Sequence, residues 1–162
     1  MFMYFTAGVV GMETPVTREF SYNDSFSRNL GWVTEAEQQL LRKKCVAIAG
    51  LGGVGGSHLL TLTRLGIGAF HIADFDIFTQ ANFNRQVGAT VDTLDRDKLE
   101  VMIQQARAIN PELKIKGFSD GLVANNIDAF LEGVDIYIDG LDFFAFQARQ
   151  LVFSGSGDDL FA

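Results

Sequence analysis

One region constrains the fold of this chain more than any other, a cluster of five glycines within the stretch AIAGLGGVGGSHLL. The residues that lead into the cluster, CVAIAG, form a continuous apolar run, which is typical of a strand buried on both faces of a parallel sheet. After the cluster, Leu59, Leu62 and Leu65 recur at helical spacing, and Gly66 provides a stop signal. The pattern therefore predicts a strand, a glycine loop and a helix in direct succession.

The rest of the chain continues this alternation of strand and helix patterns. The further predicted strands lie in AFHIAD, LKIKGF and VDIYIDG, and the further predicted helices lie in VTEAEQQLLRKK (about 34–43), TLDRDKLEVMIQQARAINP, NNIDAFLEG and FFAFQARQLVF. Such alternation indicates an α/β fold, a Rossmann-like, mostly parallel sheet with flanking helices and right-handed crossovers. The length of 162 residues suits one domain. Because the tail SGSGDDLFA does not resemble a further strand, we expect the sheet to be truncated after its fourth strand.

The glycine loop has the chemistry of a nucleotide site. Gly50, Gly52 and Gly55 satisfy the spacing G-x-G-x-x-G, and Gly53 lies between them. Glycine removes the side chain that would keep a ligand from the backbone, and the helix after the loop presents free N–H groups to an anion. Asp74 ends the second predicted strand, where a carboxylate can bind a ribose hydroxyl. The alternative interpretation of the loop is a tight structural turn.

Polar and cationic side chains beyond the second predicted strand decide which nucleotide fits. Asn82, Asn84 and Arg85 come after that strand, and Lys98 lies in the first turn of the next predicted helix. A lysine at that place opposes the helix dipole, so it is best understood if it faces an anion. A dinucleotide needs few such cations, whereas a nucleoside triphosphate needs both cationic side chains and a metal. The alternative for Lys98 is a solvated surface lysine.

The amino-acid composition argues against some classes of binding partner. The formal net charge is −7, and a nucleic-acid-binding protein needs a clustered basic surface, so we expect no nucleic-acid partner. The single cysteine, Cys45, excludes a disulfide framework and a zinc site of paired cysteines, and it fits a reducing compartment such as the cytoplasm. The apolar first eleven residues are too short to span a bilayer and lack a preceding basic region, so we expect no membrane association.

Taken in order, these motifs resemble the adenylation domain of the ThiF, MoeB and ubiquitin-activating-enzyme superfamily. The resemblance runs from about Tyr22 to Arg149 and rests on GLGGVGG, ADFDIFTQANFNRQ, Lys98 and IDGLD. The segment FSRN, which contains Arg28, is similar to the family's N-terminal arginine motif R-Y-x-R-Q. The first arginine of that motif is absent here, because Ser25 occupies its position.

The resemblance implies that the chain binds ATP together with Mg²⁺. Asp74 would hold the ribose of ATP, beside the glycine loop. The phosphates would be held by Asn82, Arg85 and Lys98. Asp142, in IDGLD, would coordinate Mg²⁺ near the reacting phosphate.

The resemblance also implies a reaction and partners. Family members form dimers with composite sites, so Arg28 would reach the phosphates of the neighbouring subunit in a homodimer. The C-terminal carboxylate of a ubiquitin-like sulfur-carrier protein would attack the α-phosphate, which yields an acyl-adenylate and pyrophosphate. Arg28, Arg85, Lys98 and Asp142 would be the catalytic residues, since positioning and charge neutralisation suffice for this step.

The chain departs from the family after its fourth predicted strand. Family members continue with further strands that bind the carrier, and many carry C-x-x-C pairs, which are missing here. We therefore predict an N-terminal extension (1–21), a partial ATP-binding adenylation domain (22–153) and a tail (154–162), and we expect that this chain alone does not complete carrier activation. The alternatives are an NAD- or FAD-binding oxidoreductase domain, which shares the glycine loop and Asp74, and a non-catalytic nucleotide-binding remnant. The cations discriminate against the oxidoreductase, because hydride transfer does not require them.

Overall fold

The computed structural model describes residues 19–155. Their centre is a four-stranded sheet in which every neighbouring pair is parallel. The strands are β1 (Cys45–Ala49), β2 (Ala69–Ala73), β3 (Lys114–Phe118) and β4 (Ile136–Asp139), in the order β3-β2-β1-β4. The predicted α/β fold with a mostly parallel sheet is confirmed. The strand order reverses between β1 and β4, and open sheets of this kind bind ligands at such a reversal.

Six α-helices lie within the described residues: α1 (Tyr22–Ser25), α2 (Glu35–Leu41), α3 (Gly53–Leu65), α4 (Lys98–Ile109), α5 (Ile127–Leu131) and α6 (Phe146–Gly155). A capping box begins α2. The Thr34 hydroxyl accepts a hydrogen bond from the Glu37 N–H, and the Glu37 carboxylate accepts one from the Thr34 N–H at 2.7 Å. The long linker between β2 and α4 contains short 3₁₀ turns that the sequence patterns do not indicate.

The two faces of the sheet carry separate hydrophobic clusters. Val46 and Ile48 of β1 belong to the cluster that contacts α3 and α4, whereas Ala47 and Ala49 belong to the cluster that contacts α5 and α6. These four residues are all buried. Burial on both faces explains why β1 is continuously apolar rather than alternating.

Polar side chains of α2 and of the segment before it are hydrogen-bonded to the end of α3. The Tyr22 hydroxyl donates to the Gly66 carbonyl at 2.5 Å, and the Gln38 amide donates to the Leu65 carbonyl at 2.9 Å. The Asn29 amide donates to the Leu65 and Arg64 carbonyls. These contacts satisfy carbonyls that the last turn of a helix leaves without intrahelical partners.

The predicted N-terminal extension (1–21) and tail (154–162) lie largely outside the described residues, and the domain limits of 22–153 stay a prediction. Across residues 19–155, no helix combines the length and the apolar character that crossing a membrane requires.

Three glycines allow the backbones of β1, α3 and the end of β4 to meet. Gly50 has a φ of +81°, and a Cβ added there would lie 2.5 Å from the Gly140 carbonyl oxygen. A Cβ added at Gly55 would overlap the carbonyl oxygen of Gly50. The Gly140 N–H in turn donates to the Ala49 carbonyl at 2.8 Å. A side chain at any of these glycines would therefore force the elements apart.

We expect Gly50→Ala to destabilise the fold more than Gly133→Ala. Gly133 has a similar φ of +69°, but a Cβ there would meet nothing within 4 Å. The control should therefore cost only the left-handed backbone strain, roughly 1–2 kcal/mol. Gly50→Ala adds steric overlap with Gly140, which costs roughly 1–3 kcal/mol more. Urea unfolding measures both free energies, and equal losses would contradict the close approach of the two backbones.

Candidate functional site

The carboxyl ends of the strands open into a cavity of about 640 Å³. It lies at the reversal of the strand order, as the topology leads one to expect. The sequence-predicted site residues that line it are Gly50, Gly52, Gly53, Asp74, Asn82, Arg85, Lys98 and Asp142. Residues from separate segments of the chain are thus brought together at one end of the sheet.

Asp74 supports the glycine loop from the end of β2. The side chain is largely buried, and its carboxylate accepts hydrogen bonds from the Leu51 N–H at 2.6 Å and the Asp76 N–H at 2.8 Å. Burial raises the pKa of Asp74, although these hydrogen bonds and the charge of Lys98 act in the opposite direction. Each carboxylate oxygen has two lone pairs, so both oxygens retain the capacity to accept from a ribose hydroxyl.

Lys98 begins α4 and points into the cavity wall rather than into solvent. Its side chain is 6% exposed, and its ammonium group donates to the Asp76 carboxylate at 3.0 Å. The alternative of a solvated surface lysine is therefore wrong. An ammonium group has three donors, so a bound anion can still be contacted after Asp76 takes one. Asp76 was not predicted as a partner; its position two residues after Asp74 was the available signal.

The loop after β2 places Asn82 and Arg85 beside the glycine loop. The side-chain carbonyl oxygen of Asn82 accepts from the Thr79 N–H at 2.8 Å, so this side chain helps to shape the loop as well as lining the cavity. Arg85 is exposed, and its guanidinium donates to the Asn84 side chain at 3.0 Å. A Cβ added at Gly53 would lie 3.3 Å from the Arg85 carbonyl oxygen, which shows how closely the two loops pack.

Gln86 is a cavity residue that the sequence patterns did not reveal. Its side chain lines the cavity and is largely buried, at 7% exposure. Its Oε1 atom has no hydrogen-bond partner within the part of the chain that the structure describes. A buried polar atom without a partner is costly, so this atom is a candidate contact for a ligand. Its place directly after Arg85 was the signal that could have identified it.

The chemistry of the cavity wall fits a magnesium ion bound together with phosphates. Among residues 19–155, no group of three or more His, Cys, Asp or Glu side chains is arranged to hold a metal ion. Mg²⁺ does not need such a cage, since it commonly binds one or two carboxylates, waters and substrate phosphates. The exposed Asp142 carboxylate on the β4 side of the cavity can serve as one such ligand.

Arg28 lies away from the cavity of its own chain. It belongs to a 3₁₀ turn, Ser27–Asn29, that is fastened by Asn29 to the last turn of α3. The glycine loop is at the other end of this 13-residue helix, roughly 20 Å away at 1.5 Å per residue. Among the described residues, the cavity lining does not include Arg28.

The cavity combines the features that a nucleoside polyphosphate needs. A helix N-terminus and two cationic side chains, Arg85 and Lys98, can neutralise phosphate charge. Asp74 and Asp142 line the cavity after β2 and β4, the strands that lie on either side of β1.

Comparison with known proteins agrees with this chemistry. The ThiF family pattern matches residues 26–156. The chain is 34% identical over 109 residues to the tRNA threonylcarbamoyladenosine dehydratase of Escherichia coli, an alignment that covers 67% of this chain and 41% of that protein. It is 33% identical over 115 residues to the probable adenylyltransferase/sulfurtransferase MoeZ of Mycobacterium tuberculosis, covering 71% of this chain and 29% of that protein.

Solved structures of one of these relatives have a similar fold. The E. coli tRNA N6-threonylcarbamoyladenosine dehydratase TcdA in complex with ATP superposes with a TM-score of 0.71 and 31% identity, covering 74% of this chain and 50% of that one. Its complex with AMP superposes with a TM-score of 0.76 and 28% identity, covering 82% and 53%. This chain thus spans about half of these structures and less than half of the curated relatives. With the family match extending over most of its length, the chain belongs to the ThiF family.

Proposed function

We propose that this chain forms the nucleotide-binding part of an ATP-dependent adenylyltransferase. The observation that carries the proposal is the presence of Arg85 and Lys98 in the same cavity as the glycine loop and Asp74. These cations suit the charge of a triphosphate, whereas a hydride-transferring domain has no need of them. The ATP and AMP bound by TcdA, a relative with the same fold, support this choice.

In this proposal, each of these polar residues of the cavity has one role. Asp74 holds the ribose, while Asn82, Arg85 and Lys98 bind the phosphates. Asp142 would hold Mg²⁺, which supplies positive charge to the phosphates when it is bound. The protein contributes position and charge neutralisation, so no covalent intermediate with a side chain is needed.

The substrate that we propose is the C-terminal carboxylate of a ubiquitin-like sulfur-carrier protein. The probable adenylyltransferase/sulfurtransferase MoeZ is a relative whose name fits this chemistry. The dehydratase TcdA is named for a tRNA nucleoside, so relatives with this fold differ in substrate. The net charge of −7 favours a protein substrate over a polyanion such as tRNA.

The assembly that we propose is a homodimer in the cytoplasm. Arg28 lies in a turn that is held against the last turn of α3, and the glycine loop is at the other end of this 13-residue helix. A role in phosphate binding therefore requires that it act on the neighbouring subunit. The free thiol of Cys45 is compatible with a reducing compartment.

We expect ATP with Mg²⁺ to bind more tightly than NAD. The reason is that Arg85 and Lys98 are placed to neutralise more phosphate charge than a dinucleotide carries. Isothermal titration calorimetry with each nucleotide, with and without Mg²⁺, measures the difference. Tighter binding of NAD would favour the oxidoreductase alternative and reject the proposal.

We expect Arg85→Ala and Lys98→Met to weaken ATP binding by roughly ten- to a hundredfold, the value of one charge-assisted hydrogen bond. Arg85 is exposed, so its loss should leave the free energy of unfolding nearly unchanged. Lys98 is buried and paired with Asp76, so its replacement should also lower stability. Methionine is chosen because it keeps the apolar stem.

The matched control for these variants is Arg107→Ala. Arg107 is an exposed cation on α4, and it is not among the described cavity residues. Its replacement should leave ATP binding unchanged. If Arg85→Ala bound ATP as tightly as Arg107→Ala, a phosphate role for Arg85 would be excluded.

The substrate proposal is tested by ATP–pyrophosphate exchange. Because the carboxylate is the nucleophile, we expect a ubiquitin-like carrier with a free C-terminal carboxylate to raise exchange above the level seen without it. The rate should stay low, since we do not expect this chain alone to complete carrier activation. A carrier extended by one residue beyond its native C-terminus is the control, and it should not stimulate exchange. Stimulation by tRNA instead of the carrier would reject the proposed substrate while leaving ATP binding intact.

A further inference from the structure

The loop after β4 is held by one arginine of α6. The Arg149 guanidinium binds both oxygens of the Asp139 carboxylate, with its Nε at 2.5 Å and its Nη2 at 3.3 Å. It also donates to three consecutive backbone carbonyls, those of Leu141 at 2.7 Å, Asp142 at 3.0 Å and Phe143 at 3.0 Å. The end of β4, the loop and α6 are therefore joined at a single side chain.

These contacts use the full donor capacity of the side chain. A guanidinium has five N–H donors, and five hydrogen bonds are formed within the protein. Arg149 consequently has no donor left for a nucleotide or for a second substrate. Arg149 can therefore affect the cavity only by holding the loop after β4 in place.

The loop after β4 places Asp142 in the wall of the cavity. Asp142 lines the cavity, while its backbone carbonyl oxygen accepts from both Arg149 and the Ala145 N–H, the latter at 3.0 Å. The backbone of Asp142 is thus fixed from two directions. A flexible loop would let the same carboxylate occupy many positions, so that ordering it would lower the apparent affinity for an ion.

We propose that Arg149 is a positioning residue of the nucleotide site, which fixes the loop from Leu141 to Phe143 so that the Asp142 carboxylate is ready to bind Mg²⁺ together with ATP. The inference rests on the proposed function, in which Asp142 is the magnesium ligand. Lysine cannot replace Arg149 in this role. Its compact ammonium group has three donors and cannot form a two-point contact with Asp139 while reaching three carbonyls.

The test measures how ATP binding depends on Mg²⁺, by calorimetry on the whole chain. Arg149→Gln should raise the Mg²⁺ concentration for half-maximal ATP binding by roughly ten- to a hundredfold, the usual effect of losing a group that orients a metal ligand. Without Mg²⁺, ATP affinity should be the same as in the unmodified chain. Arg149→Lys should behave like Arg149→Gln, because the charge is retained but the fork of donors is lost.

A double-mutant cycle separates positioning from general stability. In the Asp142→Asn background, Arg149→Gln should shift the Mg²⁺ dependence no further, since the ligand that it positions is already lost. Asp139→Asn leaves Arg149 and its carbonyl contacts in place, so it should shift the Mg²⁺ dependence less than Arg149→Gln. Arg107→Gln, which alters an exposed arginine outside the loop, should match the unmodified chain.

Hydrogen exchange gives a second readout that needs no nucleotide. The amides from Leu141 to Ala145 should exchange faster in Arg149→Gln, while the amides of β1 exchange at their original rates. Faster exchange throughout the sheet would mean that Arg149 stabilises the whole fold, which would overturn the positioning role.

The remaining outcomes are also decisive. Equal losses of ATP affinity with and without Mg²⁺, or a full additional shift in the Asp142→Asn background, would overturn the inference but leave ATP binding standing. Failure of the unmodified chain to bind ATP under either condition would instead reject the proposed function, and the inference with it.

Discussion

The close approach of three backbones is the constraint on which the rest of this structure depends. Gly50 comes directly after β1, Gly55 lies in the first turn of α3, and Gly140 comes directly after β4; a Cβ at any of them would lie within 2.6 Å of a carbonyl oxygen. Because nothing but hydrogen occupies these positions, the N-terminus of α3 can sit directly over the end of β1. That placement aims the free N–H groups of the helix at the cavity, and it puts the loop after β4 on the opposite wall.

Several polar groups around the cavity serve both the fold and the proposed chemistry. Asp74 accepts from the Leu51 N–H and so holds the glycine loop, and burial raises the pKa of its carboxyl. Lys98 is buried against Asp76. Buried charges are costly unless they are paired and hydrogen-bonded, and here the partners are backbone N–H groups and an opposite charge. The site is therefore already shaped before a nucleotide arrives, and less ordering remains to oppose binding.

The relatives differ in name but share one stretch of sequence with this chain. TcdA and MoeZ carry different names for what they act on, yet each aligns with this chain over a stretch of 109 or 115 residues that makes up less than half of its own length. A stretch shared by proteins of different substrates favours a common nucleotide chemistry. The proposed role of Arg149 concerns the nucleotide chemistry, since it acts on the wall of the cavity.

The sequence by itself determined the four strands, the longer helices and the family, because apolar periodicity and glycine spacing are local signals that a strand, a loop and a helix each impose on their own residues. It also predicted most of the cavity, since the carboxyl ends of parallel strands must meet at one edge. It could not show that Asp76 pairs with Lys98, that Gln86 has a buried unpaired oxygen among the described residues, or that Arg149 holds the loop of Asp142. Those facts depend on the positions of individual atoms, which only the packed sheet and helices fix.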